Sequence, residues 1–206
     1  MQSLKVAVVD YGAGNLRSVV SALRSIECDA VVVESASDTR TAGAMILPGV
    51  GAAADTMENL DRRGLSDLVL EWTGAERPFL GICMGMQVLF SHSEEGGGQD
   101  CLDILHGRVT RLPPGLKVPH MGWNQVHYAT DVPLFRGIPD GSDFYFVHSY
   151  AVLPEDPSIV AARTTYGQPF CSAVHRGSLF ATQFHPEKSG AAGLRLYRNF
   201  VEFAAA

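Results

Sequence analysis

Four short apolar runs punctuate residues 1–82: Val6 to Val9, Ala30 to Val33, Met45 to Leu47 and Phe79 to Ile82. None alternates with polar residues, so each predicts a strand covered on both faces, as in a parallel sheet. Between the first two, Leu16, Val19, Val20, Leu23 and Ile26 fall on one helical face, and Leu65, Leu68, Val69 and Trp72 do the same before the fourth run. The pattern then changes. Ser93 to Gln99, with Glu94, Glu95 and consecutive glycines, reads as a loop. Strand-like segments follow closely, at Gly107 to Leu112, Asn124 to Tyr128, Asp143 to Val152, Ile159 to Thr165, Phe170 to His175 and Leu179 to Phe184. Ser189 is placed as the cap of a last helix carrying Leu194, Tyr197, Phe200 and Val201. The expected fold is α/β: one domain over residues 1–206, with a doubly wound, mainly parallel sheet and an antiparallel addition in the second half.

Composition narrows the function classes. A chain of 206 residues that is 46% hydrophobic can build one sizeable core. A net charge of −6 without a block of like charges argues against a general nucleic-acid binder. Cysteines at 28, 83, 101 and 171 have no paired spacing, so neither a disulfide framework nor a zinc site is indicated, and no metal or cofactor is expected. Lys5 to Asp10 turns acidic too soon for a signal sequence, and no apolar run approaches the ~20 residues that span a bilayer, so a cytoplasmic protein is expected. Charged residues make up only 18%, which suits a protein that buries one face against a partner. Gly12-x-Gly14 after the first strand invites a dinucleotide reading, but the third glycine position holds Arg17, and a plain βα turn is preferred.

The chemistry concentrates where strands end. Gly81-x-Cys83-x-Gly85 closes the fourth run as a nucleophile elbow with sulfur in place of oxygen. A helix starting at Met84 would favour the thiolate by about 0.3–1 kcal/mol, which matters for a thiol whose ordinary pKa is ~8.5. His185-Pro186-Glu187 follows the last strand-like run; residues two apart on extended chain point the same way, so the carboxylate can orient the imidazole as a base. Pro48-Gly49-Val50-Gly51 leaves the third run with a backbone able to aim N–H groups outward. With the Met84 N–H these would hold an oxyanion, each donor worth ~2.7–4 kcal/mol of barrier.

Together, Pro48-Gly49-Val50-Gly51, Gly81-Ile-Cys83-Met84-Gly85-Met-Gln87 and His185-Pro-Glu187 resemble the triad-type (class I) glutamine amidotransferases over essentially the whole chain. The stretches Val8 to Leu16, Val118 to Asn124, Tyr145 to Tyr150 and Lys188-Ser189 are similar to the glutaminase subunits of imidazole glycerol phosphate synthases. The resemblance implies Cys83 as nucleophile, His185 as acid and base, and Glu187 as its orienter. It also implies glutamine contacts from Gln87, the Gly51 region and the Ser149-Tyr150 pair, and an interface at Trp123, Tyr145 and Lys188. The implied partner is a (β/α)8-barrel cyclase, in a heterodimer, that uses ammonia to form imidazole glycerol phosphate and an aminoimidazole carboxamide ribotide in histidine biosynthesis.

On the residues alone other readings stand. Gln87 is equally a helix-surface amide, Trp123 and Tyr145 core aromatics, and Lys188 a solvated charge. The other histidines, His120 and His148 included but for their place in those stretches, read as packing or surface residues. Rival functions are the glutaminase of pyridoxal phosphate, anthranilate or GMP synthesis, a different thiol hydrolase, or a degenerate interaction module. DJ-1-like proteins usually place histidine where this chain has Met84, and dienelactone-hydrolase-like enzymes use a Cys-Asp-His order.

Overall fold

The computed structural model describes residues 4–12, 15–128 and 131–206. The first half alternates strand and helix: β1 (Lys5–Val9), α1 (Leu16–Ser25), β2 (Asp29–Val33), β3 (Ala44–Leu47), α2 (Ala53–Arg62), α3 (Leu65–Gly74) and β4 (Phe79–Ile82). A short α4 (Met84–Gln87) precedes the strand-rich half. That half comprises β5 (Phe90–Ser93), β6 (Gln99–Asp100), β7 (Leu105–Arg111), β8 (His120–Tyr128), β9 (Ser142–His148), β10 (Tyr150–Pro154), β11 (Val160–Tyr166), β12 (Gln168–Arg176) and β13 (Leu179–Thr182). Helix α5 (Gly190–Ala205) ends the chain.

Nine strands form one sheet in the order β2-β1-β3-β4-β13-β12-β11-β8-β9. The pairings from β2 through β13 are parallel, and those from β13 to β9 antiparallel. A second sheet runs β10-β7-β5-β6. The parallel strands β1 (from Val6 on), β3 and β4 carry no polar side chain because both faces are covered. Val6, Val8, Ile46 and Leu80 pack with Val19, Leu23 and Phe200 on one side, while Val9, Met45 and Leu47 pack with Met57, Leu60, Val69 and Trp72 on the other. This is the doubly wound, mixed sheet expected. No helix among the described residues is long and apolar enough to cross a membrane.

Three expectations are corrected. The single strand expected from Asp143 to Val152 is two: β9 ends at His148, β10 starts at Tyr150, and they belong to different sheets. The chain changes layer at Ser149, whose carbonyl accepts from Leu112 N–H. The helix after Cys83 is a single turn, so its dipole at the thiol is that of one turn. Ser189 precedes α5 but makes no side-chain cap; its hydroxyl donates to His185 O at 2.6 Å and accepts from Tyr145 N–H at 3.0 Å. The Gly12-x-Gly14 turn lies partly outside the described residues, since Ala13 and Gly14 are not among them.

Candidate active site

Strands β3, β4 and β13 lie side by side and parallel, and their carboxyl ends deliver the three expected motifs to one place. In open α/β sheets this is the end at which ligands bind. The Cys83 N–H closes the ladder on Thr182 O at 2.7 Å, and the chain then turns with Cys83 at φ 55°, ψ −108°. A side chain seldom occupies that region; its strain is held by the surrounding packing. A Cβ on Gly85 would stand 1.9 Å from Leu47 O, and one on Gly81 would stand 2.6 Å from Gly85 O. Only glycine fits at either position, as the elbow requires.

Beyond β13, His185 Nδ1 lies 2.8 Å from Glu187 Oε1, with both side chains buried. Glu187 also accepts from Asn15 Nδ2 and, at 3.4 Å, from the Tyr197 hydroxyl. An ionised carboxylate can only accept, so Nδ1 carries the proton and Nε2 is left for the cavity. Nε2 makes no hydrogen bond among the described residues. Burial opposes the imidazolium, but the hydrogen bond to Glu187 and the charges of the neighbouring Cys83 and Glu187 overcome it and push the His185 pKa up to about 10.

Cys83 and His185 face a common cavity of ≈ 290 Å³, which Val50, Gly51, Met84, Gln87, Ser149 and Tyr150 also line. Gly49 stands behind that wall: a Cβ there would lie 2.7 Å from both Gly85 N and Met84 Cβ, so its role is close packing on the elbow. Gln87 is buried, which removes its reading as a helix-surface amide. Its Nε2 donates to Tyr150 O and to Gln183 Oε1, both at 3.0 Å.

The three residues expected at an interface cluster on the outer face of β8 and β9. Trp123 is opposite Tyr145 in register, with ring centroids 6.1 Å apart, and Lys188 Nζ is 5.6 Å from the Tyr145 ring. Trp123 is 57% exposed and Met121 62%, so Trp123 is no core aromatic. Val147, which pairs with Met121, lies on the cavity wall.

The model of the glutamine amidotransferase class-I family matches residues 7–203. The chain belongs to the class-I glutamine amidotransferases. It is 53% identical over 199 residues to an imidazole glycerol phosphate synthase subunit HisH from Dehalococcoides mccartyi, covering 97% of each chain. It is 51% identical to the subunit of that name from Chloroflexus aurantiacus, covering 98% of this chain and 97% of the relative. Among solved structures, PurLQS from Thermotoga maritima superposes with a TM-score of 0.78 at 17% identity, covering 98% of this chain and 99% of that one. The crystal structure of another glutamine amidotransferase gives 0.74 at 23%, covering 98% and 99%. Those two likenesses speak to the fold alone.

The same cavity also holds residues that the sequence patterns did not single out. Glu95, in the stretch read as loop, lines it, and its Oε2 accepts from Ala53 N–H at the start of α2. Pro119, Val147 and His148 complete the wall. His148 thus lines the cavity as well as packing against its neighbours; burial holds its pKa down to about 3. Gln183 and Asn15 act from behind. Gln183 precedes His185 by two residues, so strand periodicity already pointed its side chain the same way. Among the described residues no cluster of His, Cys, Asp and Glu could hold a metal.

Proposed function

We propose that the chain is the glutaminase subunit of an imidazole glycerol phosphate synthase, releasing ammonia in the cytoplasm to a (β/α)8-barrel cyclase bound as a heterodimer. The observation that carries this reading is the constellation itself. A strained thiol and an imidazole with a free Nε2 share one cavity, and a buried carboxylate fixes the tautomer.

In the proposed reaction the Cys83 thiolate attacks the side-chain amide carbon of glutamine. The carbonyl oxygen takes the charge and is held by N–H groups at Val50 and Met84. The tetrahedral intermediate collapses as His185 gives its proton to the departing nitrogen, so ammonia leaves and a thioester remains. His185 then takes a proton from water. The hydroxide opens the thioester to glutamate and regenerates the thiolate. Glu187 keeps Nδ1 protonated throughout. Gln87, whose amide N–H groups are both engaged, offers its oxygen to the substrate. Gly51, Ser149 and Tyr150 shape the wall, and Glu95 supplies a carboxylate suited to an α-ammonium group.

Ammonia released into water is protonated and lost as a nucleophile, which favours a partner seated where the cavity opens. Trp123, Tyr145 and Lys188, which neighbour one another near Val147, would make that contact. The choice of cyclase over the pyridoxal phosphate, anthranilate or GMP systems is supported by about half-identity with HisH subunits along nearly the whole chain.

Glutamate release should be slow for the chain alone and rise when the cyclase and its ribotide substrate are added. Cys83→Ala should abolish glutamine-dependent turnover of the complex while turnover on added ammonium salts persists. Loss of both activities, or fast glutamate release indifferent to the cyclase, would contradict this division of labour.

A further inference from the structure

We infer that Gln183 is a further catalytic residue, whose side-chain amide donates to the Cys83 sulfur and holds it as the thiolate. The inference rests on the reading of Cys83 as nucleophile. Gln183 is buried completely in the core at the end of β13, where an amide without partners would be costly. Both its ends are engaged, and both partners belong to the cavity. Nε2 lies 3.7 Å from Cys83 Sγ, and Oε1 accepts from Gln87 Nε2 at 3.0 Å.

The direction of these bonds follows from a single backbone atom. Tyr150 O can only accept, so the Gln87 group 3.0 Å from it must be the NH₂. The second proton of that NH₂ goes to Gln183, which must present oxygen; the nitrogen of Gln183 is thereby left for the sulfur. His148 Nδ1, 2.8 Å from the same carbonyl, anchors it from the other side. His148 Nε2 in turn lies 2.9 Å from His120 Nδ1. Polarity is therefore fixed along the whole chain of bonds, and it delivers a donor to Cys83.

A neutral thiol has a different outlet. Val147 O lies 3.9 Å from Sγ and suits an S–H proton. Ionised sulfur gives up that bond and strengthens the one from Gln183, because hydrogen bonds to a charged acceptor are about twice as strong as neutral ones. The other titratable groups around the thiol are His185, Glu95 and Tyr11, of which the last two carry no positive charge, Tyr150, and His148, which is neutral. Gln183 is the uncharged donor in this set. It serves the sulfur before glutamine enters and after the imidazole has given up its proton.

The test reads the thiol directly. Full-length protein is alkylated with iodoacetamide between pH 5.5 and 10, and each cysteine is followed by peptide mass mapping. Mass mapping keeps the Cys83 signal apart from those of Cys28, Cys101 and Cys171, whose pKa values burial pushes up to about 11, 11 and 12. Gln183→Glu keeps the size and the acceptor for Gln87 but replaces the donor with a carboxylate; Gln183→Met removes it without adding charge. In both, Cys83 alkylation at pH 7 should slow about tenfold, with its midpoint moved to higher pH and rates converging at the alkaline end. A midpoint equal to that of the unaltered protein in a folded variant would overturn the inference. If neither variant folds, the Gln183 side-chain N–H resonances of the unaltered protein should titrate with Cys83 and shift on its alkylation. Resonances that stay still overturn it as well. A Cys83→Ala protein that still hydrolyses glutamine would instead remove the nucleophile reading on which the inference stands.

Discussion

His185 and His148 face one cavity and are driven in opposite directions. The His185 pKa is raised to about 10, against an unfolded value of ~6.5. Its contribution to stability is complete below pH ~6.5 and is lost as pH climbs toward 10, because the folded state keeps a proton that the unfolded state releases. The His148 pKa is lowered to about 3, chiefly by burial and further by the charges of His120 and His185. Its contribution is complete above pH ~6.5 and is lost as pH falls toward 3, since only the unfolded chain takes up the proton. The two limbs meet near pH 6.5, where the pair contributes most. Unfolding free energy measured by denaturant titration from pH 4 to 9 should fall on both sides, each histidine adding at most about 1.4 kcal/mol per pH unit. His148→Gln should flatten the acid limb and leave the alkaline one; an unchanged acid limb would show that other groups set it. Cys83, His185 and Glu187 are legible in the sequence because each sits in a local pattern with a chemical reason. Glu95 and His148 are not, because their approach to the cavity depends on where distant segments settle.

Among the elements, β1, β3 and β4 are legible to within a residue or two, since a strand buried on both faces writes an unbroken apolar run. Helix α2 is harder to see. Its buried positions, Ala53, Thr56, Met57 and Leu60, keep helical spacing, but two of them are small or polar. The break at Ser149 is invisible because β9 and β10 follow each other with one residue between them and join different sheets. The elbow shows what binds these elements together. Leu47 of β3 presses its carbonyl against the space beside Gly85, so the Pro48-Gly49-Val50-Gly51 loop and the turn at Cys83 share one packing surface. Gly85→Ala should destabilise the protein by about 3 kcal/mol or more, read as a lower denaturation midpoint, because backbone must move to admit the methyl group. A loss under 1 kcal/mol would mean that the turn yields more easily than its geometry implies.

At the scale of the molecule, the helix-covered half of the sheet supplies a rigid floor and the antiparallel half carries the exposed Met121 and Trp123. Expecting Trp123 in the core would have been reasonable from its size alone; whether an aromatic on an antiparallel strand points in or out depends on register, and register is a property of the assembled sheet. If this face seats the cyclase, Trp123→Glu should weaken the complex at least tenfold in a titration while leaving Cys83 alkylation of the free chain unchanged. Unaltered affinity would move the interface elsewhere.

Tyr145 has one further consequence. Its ring stands beside Trp123 and Lys188, while its backbone carbonyl accepts from His185 N–H at 2.9 Å and its N–H binds the Ser189 hydroxyl that also grips His185 O. A protein that clasps this ring holds, one residue deep, the peptide bonds on either side of the imidazole. Remote control of the reaction then needs no long relay through the interior: the handle and the working part are bolted to the same plate.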